Sequence, residues 1–240
     1  MVARECVRKS LVLLKNDVNT LPLKKTDKVV VVGPWANQIG AQCGGWTLTW
    51  QGDASVTDIG GGATILKALQ DTGGANVTYD AQGNNLAGAD KIVLVVGEAS
   101  YSEGQGDNGH TNSDGSCPQC DTYKNKQMSI NLSDCPNAAL VDKCVAANKP
   151  LIIILISGRP MIIADQIAKS KAFVAAWLPG SEGGGVADVL YGAYNFTGKL
   201  RHTWPNTIDQ VPINTGTVYS DEKHGSGGTP LFNYGYGLTY

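Results

Sequence analysis

Carboxylates, together with tryptophans that fit no core pattern, are the residues of this chain best equipped for chemistry. Within 92–108, IVLVVGEASYSEGQGDN, an apolar run breaks at Gly97 and is followed by Glu98, Tyr101, Glu103 and Asp107. Such a run marks a strand buried on both faces, and the acids fall on the loop beyond its end. A second stretch, GPWANQIGAQCGGWTLTWQGD at 33–53, carries Trp35, Trp46 and Trp50 among glycines too frequent for a core element. Together these types offer carbohydrate chemistry. An indole face stacks on the axial hydrogens of a pyranose, while a carboxyl group bonds hydroxyls or protonates a glycosidic oxygen. The same tryptophans would serve equally to cap the edge of a sheet.

The elements that must position these residues are legible as alternating patterns. Residues 3–14 place Val7, Leu11, Val12 and Leu14 among basic residues, which predicts a short amphipathic helix. Buried strands are predicted at 29–32, 92–96, 151–156 and 172–177, with a shorter one at 76–79. Helices are predicted at 64–70, 136–147, 161–168 and 186–191. This alternation implies an α/β fold with a mainly parallel sheet and helices on both faces, because parallel neighbours need right-handed crossovers. The loops after the four buried strands, GPWANQ, GEASYSEGQGD, SGRP and LPGSEGGG, should then gather at the carboxyl edge, where open α/β sheets bind ligands. A leading helix and linker over 1–26 precede one sandwich domain over 27–240, with a Cys-rich inserted loop at about 109–135. The aromatic tail, LFNYGYGLTY, reads as an extended segment packed over that domain.

Several function classes are disfavoured. A formal net charge of -2, with 19 Lys and Arg nowhere strongly clustered, argues against nucleic acid or an anionic membrane as partner. No apolar run approaches the roughly 20 residues of a membrane span, and the N-terminus lacks the pattern of a signal peptide. Gly183, Gly184 and Gly185 before a helix could cradle phosphate, but neither nucleotide motif is present and Ser181 as a helix cap is simpler. There is no G-x-S-x-G elbow, and His110, His202 and His224 lie in polar segments expected to be solvated. No cofactor and no metal site is expected. Cys117, Cys120, Cys135 and Cys144 favour disulfides over zinc or free thiols, since the spacing lacks a second close pair; their pairing is left open. Cys6 and Cys43 are expected to be small buried hydrophobes. Sequons at Asn76, Asn131 and Asn195 add to a secretory reading.

Beyond these patterns, the stretches VARECVRKSLVLLKND, VVGPWAN, QCGGWTLTWQG, VVGEASYSEGQGDN, LISGRP, AAWLPGSEGGGVADVLYGAYNFTGKL and FNYGYGLTY make the chain specific. It resembles the second domain of glycoside hydrolase family 3, close to the plant-type β-D-glucan exohydrolases and β-glucosidases. Only the cysteine loop, roughly 109–135, stands outside the likeness. The resemblance implies an (α/β)6 sandwich. It also implies an active site shared with a preceding (β/α)8 barrel, which brings an Asp nucleophile, while this domain brings the general acid/base. The match of YSEGQGDN places that role on Glu103. Trp50, and Trp46 with it, match aromatic residues that line the entrance and hold the next sugar. Glu98, Tyr101, Asp107 and Arg159 are assigned to support of the loop, with Asp107 and Asn108 as turn formers.

The sequence begins where the second domain begins, so the barrel and its nucleophile are expected to be missing and independent hydrolysis is not expected. The implied function is the acid/base-bearing domain of a retaining, exo-acting β-glucosidase or β-glucanase. The rivals are a stand-alone carbohydrate-binding module using Trp46 and Trp50, and a structural domain whose former interface pairs with another chain. Expected partners are a β-linked glucose oligosaccharide or glucoside, a barrel domain, and a second copy of the chain. A secreted or extracellular location is expected from the sequons, the cysteines and the family.

Overall fold

The computed structural model describes residues 2–103, 132–135, 137–210, 213 and 228–240. Among these residues six strands form one sheet: β1 (Val12–Asn16), β2 (Val29–Val32), β3 (Val77–Asp80), β4 (Lys91–Gly97), β5 (Leu151–Ile156) and β6 (Ala172–Trp177), in the order β1-β6-β5-β4-β2-β3. All neighbours are parallel except β1, which runs antiparallel to β6. The helices are α1 (Val2–Ser10), α2 (Ile39–Cys43), α3 (Ile65–Gly73), α4 (Leu140–Ala146), α5 (Ala164–Lys169) and α6 (Gly183–Leu190). The fold is the mostly parallel α/β sandwich that the alternation of elements predicts.

The apolar runs of the central strands follow from burial on both faces. Successive side chains of a strand point to opposite sides, so Val93, Val95, Ile152, Ile154 and Val174 enter one core with Ile65, Leu69, Val186 and Val189. The alternate residues Ile92, Leu94, Ile153, Leu155 and Phe173 enter a second core with Leu140, Val141, Ile163 and Trp204. Each fully buried Val, Leu or Ile of this kind contributes about 1.5–3 kcal/mol.

The same rule corrects the reading of the N-terminal stretch. The helix stops at Ser10, and Leu11, Val12, Leu13 and Leu14 are all buried. Four consecutive buried residues cannot lie on one stripe of a surface helix. A strand buries them on alternate faces, Leu13 in the first core and Val12 and Leu14 in the second. Residues 1–26 are thus not only a leading helix and linker, since they hold the sheet's antiparallel edge strand. The C-terminal tail then covers that edge. Leu238 donates its N–H to the Leu13 carbonyl at 2.9 Å and the Tyr236 hydroxyl donates to the Leu14 carbonyl at 3.2 Å.

Two further differences are local. The glycine-rich stretch after β2 does contain core elements: a 3₁₀ turn over Pro34–Asn37 buries Trp35, and α2 buries Ile39, Ala41 and Gln42. Ser181 does not cap α6; the capping position is Glu182, and Ser181 uses its carbonyl to accept from Ala63 at 2.8 Å. The three glycines that open α6 serve packing. A side chain at Gly184 would meet the Arg4 guanidinium, and one at Gly185 would meet Val7. Cys6 is exposed and Cys43 half-buried, so neither is the core hydrophobe expected.

That close approach brings α1 onto α6, where Arg4 and Arg8 converge on Asp188. Arg4 Nε and Nη2 donate to the two carboxylate oxygens at 2.7 and 2.6 Å, and Arg8 Nε donates at 2.6 Å. Hydrogen bonds from Arg4, opposed by burial and aided by Arg8, hold the Asp188 carboxyl below its usual range. A depressed carboxylate stabilises the fold above its unfolded value of about 3.9, and that contribution is lost as pH falls through the folded value. Asp188→Asn is expected to cost about 1–2 kcal/mol at neutral pH, a figure reduced because both arginines are partly open to solvent. Urea titrations should show the two proteins converging in stability as pH falls below the depressed Asp188 range; a gap that persists there would contradict an electrostatic origin.

Candidate active site

The sheet's carboxyl edge brings together the loops after β2, β4, β5 and β6, as the parallel topology requires. Its organising group is Glu98, the first residue beyond β4, which is only 4% exposed. Glu98 Oε1 accepts from the Gly158 N–H at 3.1 Å and from the Tyr101 hydroxyl at 3.2 Å. Its Oε2 accepts from Arg159 Nε at 2.9 Å and lies 2.8 Å from Arg159 Nη2. The Arg159 guanidinium also sits 5.0 Å from the centre of the Tyr101 ring. Burial pushes the Glu98 carboxyl up from its usual range, while Arg159, Gly158 and Tyr101 pull the other way. Glu98, Tyr101 and Arg159 therefore form one cluster across two loops, with both carboxylate oxygens engaged.

Trp46 and Trp50 are brought together on a second loop, which follows α2. Trp46 is 67% exposed and Trp50 is 54% exposed; their ring centres lie 6.3 Å apart with planes tilted by 58°. A bond from the Trp46 N–H to the Trp50 carbonyl at 2.9 Å closes the turn between them. Trp35 is not part of this platform, being buried under the sheet edge. The platform loop lies backbone to backbone against the acid loop. A Cβ at Gly45 would stand 2.1 Å from the Tyr101 carbonyl oxygen, a distance no side chain tolerates. Between the loops is a pocket of about 240 Å³ lined by Gly44, Gly45, Glu98, Tyr101 and Leu178 among others.

Gln42 anchors the base of this arrangement, a role invisible in the sequence. Wholly buried, it donates to the Gly180 carbonyl at 2.9 Å and accepts from the Ile65 N–H at 2.8 Å. It thereby joins α2, the start of α3 and the loop after β6. Sequence reasoning missed it, and missed Gln51 and Ser102 at the junction of the two upper loops; no local pattern separates such amides from surface residues.

Glu103 is exposed and stands two residues beyond Tyr101. Asp107, Asn108, His110 and His224, with Asn131, Cys117 and Cys120, lie outside the described residues, as does most of the cysteine loop. Cys135 is buried, and Cys144 is a buried free thiol whose pKa burial pushes up to about 12. Asn76 and Asn195 are both exposed; Asn76 donates to the Lys25 carbonyl at 2.8 Å and Asn195 to the Tyr240 backbone oxygen at 2.6 Å. His202 is exposed. Among the described residues, no group of three His, Cys, Asp or Glu side chains is placed to hold a metal, and no helix is long and apolar enough to cross a membrane.

Fold and edge together define an α/β sandwich domain with an acid loop and an aromatic platform at the carboxyl ends of its strands. The sequence profile described as the glycosyl hydrolase family 3 C-terminal domain matches residues 11–240, and the chain belongs to that family. The periplasmic beta-glucosidase of Salmonella typhimurium is 31% identical over 99% of this chain and 34% of its own length. The lysosomal beta glucosidase of Dictyostelium discoideum is 30% identical over 99% of this chain and 29% of its own. Among solved structures, the exo-1,3/1,4-beta-glucanase of a Pseudoalteromonas species is 36% identical with a TM-score of 0.76, over 98% of this chain and 28% of that one. A beta-glucosidase of Listeria innocua, solved in complex with laminaribiose, is 25% identical with a TM-score of 0.72, over 99% of this chain and 33% of that one. The chain thus spans about a third of the length of these relatives.

The buried ion pair gives a direct test of how the acid loop is held. Removing one member of such a pair typically costs about 3–5 kcal/mol, because the other charge loses its compensation in a poorly solvated place. Glu98→Ala is expected to destabilise the chain by that amount in urea unfolding, with Glu98→Gln less affected because it still accepts from Gly158 and Tyr101. An alanine variant within about 1 kcal/mol of the parent would mean that the loop is held by other contacts.

Proposed function

We propose that this chain supplies the general acid/base to a retaining β-glucoside-cleaving site, and that the nucleophile comes from a barrel domain. The observation that carries the reading is the position of Glu103. It is an exposed carboxyl on the loop after β4, joined through Ser102 and Gln51 to an exposed tryptophan pair. In a retaining mechanism one carboxylic acid protonates the departing glycosidic oxygen while a carboxylate attacks the anomeric carbon, forming a glycosyl-enzyme intermediate. The first residue, now a base, then takes a proton from the water that releases the sugar. Glu103 would fill the first role, and Trp46 and Trp50 would hold the sugar on the leaving side. The two carboxyl groups must stand about 5–5.5 Å apart across the bond. Glu98 cannot be the second, since both of its oxygens are turned onto Arg159, Tyr101 and Gly158.

This reading includes a β-linked glucose oligosaccharide or glucoside as ligand. It also covers the exposed apolar side chains Trp46, Leu48, Trp50 and Leu178, which share the edge where the other domain would sit. A location outside the cytosol is supported by relatives named periplasmic and lysosomal and by the sequons. Glycans, and disulfides involving the 109–135 loop, belong to the same proposal, as does self-association through the exposed edge. The exposed tryptophan pair also favours a second reading, a carbohydrate-binding module without catalysis.

The 240-residue chain and its Glu103→Gln variant should both leave an aryl β-glucoside uncleaved, while laminaribiose at millimolar concentration should change the tryptophan fluorescence saturably. Hydrolysis that disappears in the variant would show that a second carboxylate arises within this chain or its oligomer. If a glucosidase barrel is added and activity depends on Glu103, the module reading is excluded; sugar binding without any such activity would establish it.

A further inference from the structure

One side chain spans the platform and the acid loop. Gln51 directly follows Trp50, and its amide lies along the Ser102–Glu103 backbone. Gln51 Oε1 accepts from the Ser102 N–H at 2.8 Å, and Nε2 donates to the Glu103 carbonyl at 3.2 Å. Ser102 returns the contact, its hydroxyl donating to the Trp50 carbonyl at 2.7 Å. Three bonds therefore bracket the peptide before Glu103 and fix it against the backbone of Trp50. Among the described residues, these are the hydrogen bonds that reach 102–103. Among the described residues, the contacts of the Glu98 cluster on this loop reach as far as Tyr101.

We propose that Gln51 is a positioning residue that registers the Glu103 backbone on the tryptophan platform, so that a sugar seated on Trp50 and the carboxyl of Glu103 respond as one unit. The proposal rests on the reading of Glu103 as the acid and of the tryptophans as a sugar platform. The side chain suits the task because its amide presents a donor and an acceptor on one rigid plane. Asn is one methylene shorter, Glu cannot donate to the Glu103 carbonyl, and Ala satisfies neither group. Neutral hydrogen bonds at a partly exposed site are modest singly, about 0.5–1.5 kcal/mol each, so the effect lies in the joint geometry of the three more than in global stability. An ordered loop of this kind is what a general acid needs, since small misplacement of a reacting group is costly.

The test uses the 240-residue chain, with Gln51→Ala and Gln51→Glu variants, followed by nuclear magnetic resonance. Hydrogen exchange is measured at the Ser102 amide. The carboxyl carbon of Glu103 and the indole N–H of Trp50 are followed during titration with laminaribiose. In the parent, Glu103 and Trp50 are expected to respond along one saturation curve. In Gln51→Ala, Ser102 should exchange about tenfold faster or more, the loss of roughly 1.4 kcal/mol of protection. Trp50 should still respond while the Glu103 response falls by about half or more, because the carboxyl no longer follows the platform. Gln51→Glu should keep much of the Ser102 protection and still lose the Glu103 response. A Glu103 response retained in the alanine variant overturns the proposal whatever Ser102 does, since a merely structural amide would leave that signal alone. If the parent shows no sugar response, the platform reading fails, and the Ser102 exchange decides by itself whether Gln51 holds the acid loop: an unchanged rate overturns it.

Discussion

The carboxyl edge of this domain depends on a buried negative charge. Glu98 emerges from a strand whose neighbours are wholly apolar, and a lone carboxylate there would cost several kcal/mol in lost hydration. Four donor groups offset that cost, and they come from Tyr101 on its own loop and from Gly158 and Arg159 on the next. The carboxylate can therefore be satisfied only if the loops after β4 and β5 adopt one mutual arrangement. Hydrogen-bonding demand, more than packing, sets the path of the loop that carries Glu103.

The platform loop is held by a different means. It presents apolar faces to solvent, so the hydrophobic effect does not order it; backbone proximity and buried amides do. Glycine at position 45 lets the chain pass directly against Tyr101, and Gln42 ties the helix beneath to two other segments. Two large aromatic rings are then held exposed on a backbone that has little freedom to fold them inward. In the proposed function that combination would let ordering be completed before a flat, partly apolar ligand arrives.

What the sequence disclosed, and what it concealed, divides along physical lines. The runs at 29–32, 151–156 and 172–177 became strands with those bounds, because burial on both faces leaves few alternatives to an unbroken apolar segment. The run at Leu11–Leu14 misled because it continues smoothly from a helical pattern, and only pairing with β6 decides its conformation. The glycines that open α6 resemble a phosphate cradle in type, yet Gly184 and Gly185 make way for α1 and Gly183 for the backbone of Ala63 and Thr64, approaches that no local signal announces. Trp35 and Trp46 lie eleven positions apart in one glycine-rich stretch. One is core and the other surface, because a 3₁₀ turn and a short helix intervene that glycine content argued against. The acid loop was visible through its carboxylates and its likeness to family 3, whereas the amides of Gln42 and Gln51 were not. A glutamine acquires such a role only from unpaired backbone groups that the fold brings within reach.

These two modes of support hold the exposed Glu103 and the tryptophan pair at one edge of the sheet. Glu98 is buried and paired with Arg159, whereas Glu103 is exposed. A carboxyl group covered by a second protein surface and set near another carboxylate is held in its protonated form by desolvation and like charge. In the proposed mechanism the barrel domain would thus have two tasks, to bring the nucleophile and to exclude water from the exposed Glu103. Rigid presentation of the carboxyl would be the sandwich domain's share of that proposed work.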